Sequence, residues 1–326
     1  MAKALERRWL IILTLILLTP GIPEYLTGSS SLFNPSGVIF NIGLYSTGAL
    51  LIREFAVRFK KGWASILLLG AAYGIMEEGI SVHTFFQTSG GPVGALGSYG
   101  HFLGVNWVWA TGLSLFHSIY SIALPILLLG LIYPQTKGRS LVGNRGIWTT
   151  LALYVITVLL LNEVAGSKPS LATYVFFLTL VSVLAYVAWR LPADFMRQKK
   201  GKPSGSRRFF FSMGLVFFPV WLIGSMIAAS YQPYMPAPLF VVLFLLMSFG
   251  LFKPVLGRIG TVENVDRKLY LSAGLLTPVI AFGMIVGLLS GNLSPVFAGI
   301  IGIVFLLVLN RRVQNRTAAM SERTGS

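Results

Sequence analysis

Long apolar runs alternate with short basic segments along the whole chain. Ten of these runs approach the roughly 20 residues that an α-helix needs to cross a bilayer core. The pattern therefore predicts an all-α, polytopic membrane protein with one membrane domain over residues 1–316. The predicted spans lie near residues 9–27, 37–52, 63–86, 105–133, 147–163, 171–189, 209–230, 238–252, 269–289 and 294–310.

The positions of the basic residues agree with this number of spans. If the N-terminus is cytoplasmic, all of the 26 Lys and Arg residues except Lys168 fall at the inner ends of the spans and in the inner connections. Lys and Arg accumulate on the cytoplasmic side of membrane proteins, so both termini are predicted to be cytoplasmic. The inner linker 190–208 is expected to meet anionic headgroups. The small, polar segment 317–326 is predicted to be a disordered cytoplasmic tail.

The first span has features of both an anchor and a signal peptide. It is short and follows Arg7 and Arg8, as the apolar part of a signal peptide does. No clear small-x-small cleavage site follows it, and Pro20 and Pro23 interrupt the run. We expect an uncleaved anchor; cleavage would leave nine spans with the same orientation.

Composition supports a location in the cell membrane. Hydrophobic residues make up 55% of the chain, charged residues 11%, and the mean hydropathy is +0.75, which is outside the range of soluble domains. The net charge of +16 is spread over short connections, with no polar module long enough for nucleic-acid binding. The chain has no cysteine, which excludes disulfides, thiolate metal sites and cysteine nucleophiles.

Glu77 and Glu78 interrupt the apolar span 63–86. A charged side chain at that depth costs about 2.5 to 3.5 kcal/mol, so intramembrane carboxyl groups usually serve a function. His117 lies in the following span. At about 1.5 Å per residue, Glu77 lies about 21 Å from the inner face and His117 about 18 Å from the outer face. Since consecutive spans tend to pack together, a meeting of glutamate and histidine is expected.

Polar neighbours complete the candidate site. Tyr73 and Ser81 lie one turn on either side of Glu77, and Ser114 and Tyr120 flank His117. Two adjacent carboxyl groups in a medium of low dielectric constant are not expected to be ionised together. One charged and one neutral carboxyl beside an imidazole form a general base that activates water. No cofactor is required for this chemistry.

A metal site is an alternative at the same place. Glu78, His83, His101 and His117 supply the ligand types that zinc prefers, but without a recognised ligand spacing. The preferred prediction is therefore a site without metal. The glycine-rich, uncharged loop 87–104 is interpreted either as a mobile cover over this site or as a plain connector.

Two segments carry a resemblance to a known family. The sequences YGIMEEG at 73–79 and GLSLFH at 112–117 resemble the first two motifs of the CAAX-protease and bacteriocin-processing family of intramembrane proteases. The resemblance implies that Glu77 activates water, with Glu78 and His117 supporting it and the oxyanion. Val82 stands where the family has arginine, Leu113 where it has phenylalanine, and no histidine follows His117 to form the third motif.

Three functions remain open from the sequence. The first is an intramembrane hydrolase, a peptidase that acts on a membrane peptide with Glu77, Glu78 and His117. The second is a proton- or cation-coupled secondary transporter, which uses the same carboxyl groups to carry a small molecule. The third is a non-enzymatic membrane scaffold, in which the polar cluster only holds helices together.

Overall fold

The computed structural model describes residues 2–166, 168–196, 206–259 and 265–324, and these are almost entirely helical. The α-helices are α1 Ala2–Pro20, α2 Pro35–Asn41, α3 Thr47–Arg58, α4 Trp63–Ile75, α5 Gly91–Gly94, α6 Trp107–Phe116, α7 Leu124–Ile132, α8 Asn144–Val164, α9 Leu171–Arg190, α10 Arg207–Ser230, α11 Ala237–Ile259, α12 Val265–Ser290 and α13 Leu293–Thr324. Four π-helical segments continue or join these helices: π1 Gly21–Tyr25, π2 Ile42–Ser46, π3 Met76–Ser81 and π4 His117–Ala123. Short 3₁₀ turns cover Thr84–Phe86 and Pro134–Thr136.

The prediction of an all-α, polytopic membrane protein is confirmed. Within the described residues, nine helices are long and apolar enough to cross a membrane. They correspond to nine of the ten predicted spans, and several extend past the apolar run into polar sequence. The nine are Arg8–Tyr25, Pro35–Arg58, Trp107–Ile132, Asn144–Val164, Leu171–Arg190, Arg207–Ser230, Ala237–Ile259, Val265–Ser290 and Leu293–Ala318.

The tenth predicted span, 63–86, is formed by α4 and π3, and it is shorter than predicted. The helix ends at Ser81, and its two glutamates make it more polar than the other nine. His83 then adopts the left-handed conformation with φ of 62°, which a non-glycine residue rarely adopts and which a helix cannot continue through. The prediction of a helix to residue 86 is therefore wrong.

The C-terminal segment also differs from the prediction. Residues 317–324 continue helix α13, so the prediction of a disordered tail from 317 is wrong for these residues. A polar sequence without glycine or proline extends a helix that is already formed, because propagation costs less than nucleation. Residues 197–205 of the predicted inner linker lie outside the described residues. The orientation of both termini stays a prediction.

Close helix packing organises the bundle. Helix α10 packs extensively against α12, and α12 against α13. At Gly214 and Gly274 a methyl group would collide with the backbone of the facing helix, so both glycines are required for the approach of α10 to α12. In the first half, α4 packs against π4, α9 and α6. Helix α4 is therefore central to the first half, and π3, which continues it, carries the glutamates.

The loop 87–104 packs onto the helices. Its Val93, Leu96 and Tyr99 are buried, and Tyr99 contacts the ring of Phe240 on α11. A short antiparallel hairpin closes the loop, with strands β1 His101–Phe102 and β2 Val105–Asn106. These contacts do not fit a plain connector. Mobility of the loop stays a prediction.

A buried ion pair on α3 joins this helix to the loop 133–143. Arg53 and Glu54 are 4% and 1% exposed, and Arg53 Nη1 lies 2.6 Å from Glu54 Oε1. Arg53 Nη2 also donates to the carbonyl oxygens of Thr136 and Arg139, each at 2.9 Å. The backbone N–H of Leu141 donates to Glu54 Oε1 at 2.8 Å. Arg53 was predicted only as one of the basic residues at the inner ends of the spans, whereas in the structure it binds the backbone of the loop 133–143.

Replacing Arg53 with Met is expected to destabilise the protein by about 1 to 3 kcal/mol, because it removes the closer charged partner of the buried Glu54 and leaves only Arg58, at 3.6 Å. Thermal unfolding of the full-length protein in detergent micelles measures the effect. Arg145→Met is the matched control, since Arg145 is exposed. Equal melting temperatures for the two variants would contradict the structural role of Arg53.

Candidate functional site: a buried cluster at four helix irregularities

The four π-helical segments in the described part of the chain supply the polar residues of one buried region. Glu24 lies on π1, Tyr45 on π2, Glu77 and Glu78 on π3, and His117 on π4. Hydrogen bonds across five residues mark the wide turns, as between the Val82 N–H and Glu77 O at 2.9 Å. Such turns are rare and frequently occur at functional sites.

Prolines explain two of these irregularities. Pro23 lies within π1, and Pro125 follows directly after the first residue of α7, next to π4. Proline lacks a backbone N–H and displaces the carbonyl one turn before it, which favours a wide turn over regular α-helical bonding. We find no comparable sequence feature for π2 and π3.

Glu78 and His117 form the part of the site in which every side-chain polar atom has a partner. His117 Nε2 lies 2.8 Å from Glu78 Oε1, and the other carboxyl oxygen of Glu78 accepts a hydrogen bond from the Thr84 hydroxyl. His117 Nδ1 lies 2.8 Å from Ser121 Oγ, one turn further along the same helix. Both oxygens of Glu78 and both nitrogens of His117 therefore have partners. The exposed fractions are 7% for Glu78 and 1% for His117.

Glu77 differs from Glu78 in its hydrogen bonding. Its Oε2 lies 3.2 Å from His117 Nδ1, yet this buried oxygen makes no well-formed hydrogen bond. The buried Tyr73 hydroxyl, which approaches the same carboxyl group, has no well-formed hydrogen bond either. Two adjacent buried polar groups thus retain bonding capacity. We name Glu77, Glu78 and His117 the Glu–His cluster.

Small residues bring the two helices of the cluster together. A methyl group on Gly74 would lie 3.0 Å from both His117 Cβ and Ser114 Cα, and one on Gly70 would lie 2.7 Å from Ser118 Cα. Larger side chains at these two positions would push α4 away from α6 and π4. The approach of Glu78 to His117 therefore depends on glycine one turn below it.

The structure also places a third carboxyl group beside the cluster, which sequence analysis did not identify. Glu24 Oε1 accepts a hydrogen bond of 2.5 Å from the Tyr45 hydroxyl, and the Ser30 hydroxyl donates to its other oxygen. The ring of Tyr45 lies 5.9 Å from those of both His117 and Tyr73, measured between centroids. Glu24 lies at the end of the first span, so its sequence position gave no sign of contact with the cluster.

The other predicted supporting residues lie apart from the carboxyl groups. The hydroxyls of Ser81 and Ser114 donate to the backbone oxygens of Met76 and Ala110, respectively. Tyr120 stacks on Phe116, with ring centroids 4.8 Å apart. Of the four predicted supporting residues, the structure brings Tyr73 to the cluster.

The four residues of the alternative metal site do not lie together, because His83 and His101 are apart from Glu78 and His117. His83 Nε2 lies 3.0 Å from both Asn162 Nδ2 and the Tyr174 hydroxyl, and His101 lies in the β-hairpin. Among the described residues, the group close enough to share an ion is the Glu–His cluster, whose potential ligand atoms lie within 4.8 Å of one another. Its two carboxyl groups approach different nitrogens of the imidazole, however, whereas a histidine offers a metal ion one nitrogen. This geometry fits shared protons better than a shared metal ion.

Comparison with known proteins gives a family without an assigned activity. Residues 12–310 match the model of an uncharacterized membrane protein family. No curated protein and no solved structure matches the chain. The match supports a multi-pass membrane location, and it leaves the resemblance to the CAAX-protease and bacteriocin-processing family unconfirmed.

Proposed function

The chain belongs to this uncharacterized membrane protein family, and we propose that it is an intramembrane hydrolase, a peptidase in which Glu77 activates water. The observation that carries the proposal is the unequal bonding of the two glutamates. Both oxygens of Glu78 have hydrogen-bond partners, whereas the buried Glu77 Oε2, 3.2 Å from His117 Nδ1, makes no well-formed hydrogen bond. A general base needs an oxygen that is free to accept a proton from its substrate.

Each residue of the cluster has a role in this reaction. The Glu77 carboxylate takes a proton from water while the water oxygen attacks the peptide carbonyl carbon. The Tyr73 hydroxyl, which has no strong partner, donates to the oxyanion of the tetrahedral intermediate. Glu77 then returns its proton to the leaving amine as the C–N bond breaks. His117, held by Glu78 and Ser121, fixes the position of Glu77 and stabilises its charge.

The resemblance in residues 73–79 and 112–117 supports peptide bonds as the substrate class. A role as scaffold alone is disfavoured by the same unpartnered atoms, because a cluster that only holds helices together gains most when every buried polar group is bonded. Glu77 Oε2 and the Tyr73 hydroxyl do not meet that condition.

A proton- or cation-coupled carrier is the second candidate, and Glu24 is the observation that favours it. Two carboxyl groups contact the imidazole of His117, and a third, that of Glu24, is bonded to Tyr45, whose ring lies beside that imidazole. Such a group has excess negative charge unless it takes up protons or a cation, as proton-relay sites of transporters do. The interrupted helices around the cluster also fit a transport site.

Isotope labelling tests the hydrolase proposal. The full-length protein is reconstituted into vesicles with a mixture of membrane-spanning peptides, in water enriched in ¹⁸O. Hydrolysis places one ¹⁸O atom in the new C-terminal carboxyl group of a product, which mass spectrometry detects. Protein-free vesicles are the control. Intact peptides, together with protein-dependent pH changes in the vesicles when a cation gradient is imposed, would favour the carrier instead.

A further inference from the structure

Glu24 lies between the buried cluster and the surface of the protein. It is half-buried at the end of the first membrane-spanning helix, next to the loop 26–34, in which Ser29 and residues 32–34 are exposed. The Ser30 hydroxyl of this loop donates to one carboxyl oxygen of Glu24. The Glu24 carboxyl group is thus the acidic group of the site nearest to this loop.

Tyr45 connects Glu24 to the interior. Its side chain is 2% exposed, and its hydroxyl donates to Glu24 Oε1 over 2.5 Å. The ring of Tyr45 lies 5.9 Å from the imidazole of His117 and 5.9 Å from the ring of Tyr73, measured between centroids. Tyr45 therefore bonds to the Glu24 carboxyl near the surface and packs against the Glu–His cluster in the interior.

We infer that Glu24 and Tyr45 form the route by which the Glu–His cluster exchanges protons with the water at the loop 26–34. A protonated Glu77 passes its proton to the Tyr45 oxygen while the Tyr45 hydroxyl proton moves to the Glu24 carboxylate. Tyr45 is unchanged by the transfer, and Glu24 then releases the proton to water. The reverse sequence protonates the cluster.

Among the described residues, the titratable groups around Glu24 lie on the side of the cluster. Segment π1 packs against α1, π4, α12 and α13. The titratable groups that interact with Glu24 are His117 on π4, Tyr45 on π2, Glu77 and Glu78 on π3, Tyr73 on α4 and the adjoining Tyr25. Apart from Tyr25, which lies on π1 itself, these groups belong to the cluster or contact it. The inference applies equally to a hydrolase and to a carrier.

Two variants interrupt the route in different ways. Tyr45→Phe removes the bridging hydroxyl and keeps the ring that packs on His117, whereas Glu24→Gln keeps polar atoms but cannot carry a proton. Tyr25→Phe is the matched control, because Tyr25 is buried next to Glu24 and its hydroxyl has no hydrogen-bond partner. The purified full-length protein is studied in lipid nanodiscs, and no substrate is needed.

Time-resolved infrared spectroscopy after a pH jump measures the exchange. The reporter is the carboxyl band that disappears in Glu77→Gln. We expect the rate of change of this band to fall about tenfold or more in Tyr45→Phe and in Glu24→Gln, and to stay at the wild-type value in Tyr25→Phe. Wild-type rates in both variants would overturn the inference, whether or not the protein hydrolyses peptides. Normal proton exchange with absent hydrolysis would instead count against the proposed function alone.

Discussion

Replacing Glu77 with Gln is expected to lower peptide hydrolysis by about 100- to 10,000-fold, the usual contribution of a general base. Glutamine has nearly the same shape but cannot accept the proton of the attacking water. The Glu77 oxygen that makes no well-formed hydrogen bond is the atom at which that proton would arrive. The measurement is the rate of ¹⁸O incorporation into the peptide product, compared at saturating peptide.

Glu163→Gln provides the control for this experiment. Glu163 is exposed and pairs with Lys168 at 2.8 Å, outside the Glu–His cluster. The same chemical change there should leave the rate within error of wild type. A Glu77→Gln protein that retains more than about a tenth of the wild-type rate would rule out Glu77 as the general base.

Replacing His117 with Ala is expected to destabilise the protein by about 3 to 5 kcal/mol, because buried charged groups that lose their partner are strongly destabilising. Without the imidazole, Glu78 Oε1 loses its partner at 2.8 Å and Glu77 loses its nearest basic group. The truncation also leaves a space beside Gly74, where the helices touch. Thermal unfolding in detergent micelles measures the loss.

The control for His117 is His101→Ala, since His101 lies in the short hairpin and makes no contact with the cluster. This variant should melt close to the wild-type temperature. If the two alanine variants have the same melting temperature, His117 does not hold the carboxyl groups in the way the structure indicates.

The sequence was sufficient for the membrane class and for the contact of the two glutamates with His117. Apolar run length and the positions of Lys and Arg depend on the bilayer, so they are visible in the sequence without tertiary information. The meeting of Glu78 and His117 also followed from local quantities, namely the rise per residue and the packing of consecutive helices.

Partners from distant segments could not be predicted in this way. Glu24 and Tyr45 reach the cluster because π1 packs against π4 and the ring of Tyr45 lies beside His117, and helix packing between non-consecutive segments has no local sequence signature. Thr84 bonds to Glu78 because His83 reverses the chain with a left-handed conformation. The number of apolar residues in 63–86 carries no information on backbone conformation, so it could not predict this reversal. For the same reason the predicted span extends to residue 86, beyond the helix end at Ser81.

The most direct test compares the thermal unfolding of Glu77→Gln and Glu78→Gln under identical conditions. Glu77 is assigned to catalysis because its Oε2 makes no well-formed hydrogen bond, and Glu78 to support because both its oxygens are bonded. We expect Glu77→Gln to melt near the wild-type temperature, whereas Glu78→Gln loses about 1 to 3 kcal/mol from its charged hydrogen bonds. Equal destabilisation of the two variants, or a greater loss in Glu77→Gln, would contradict this division of roles.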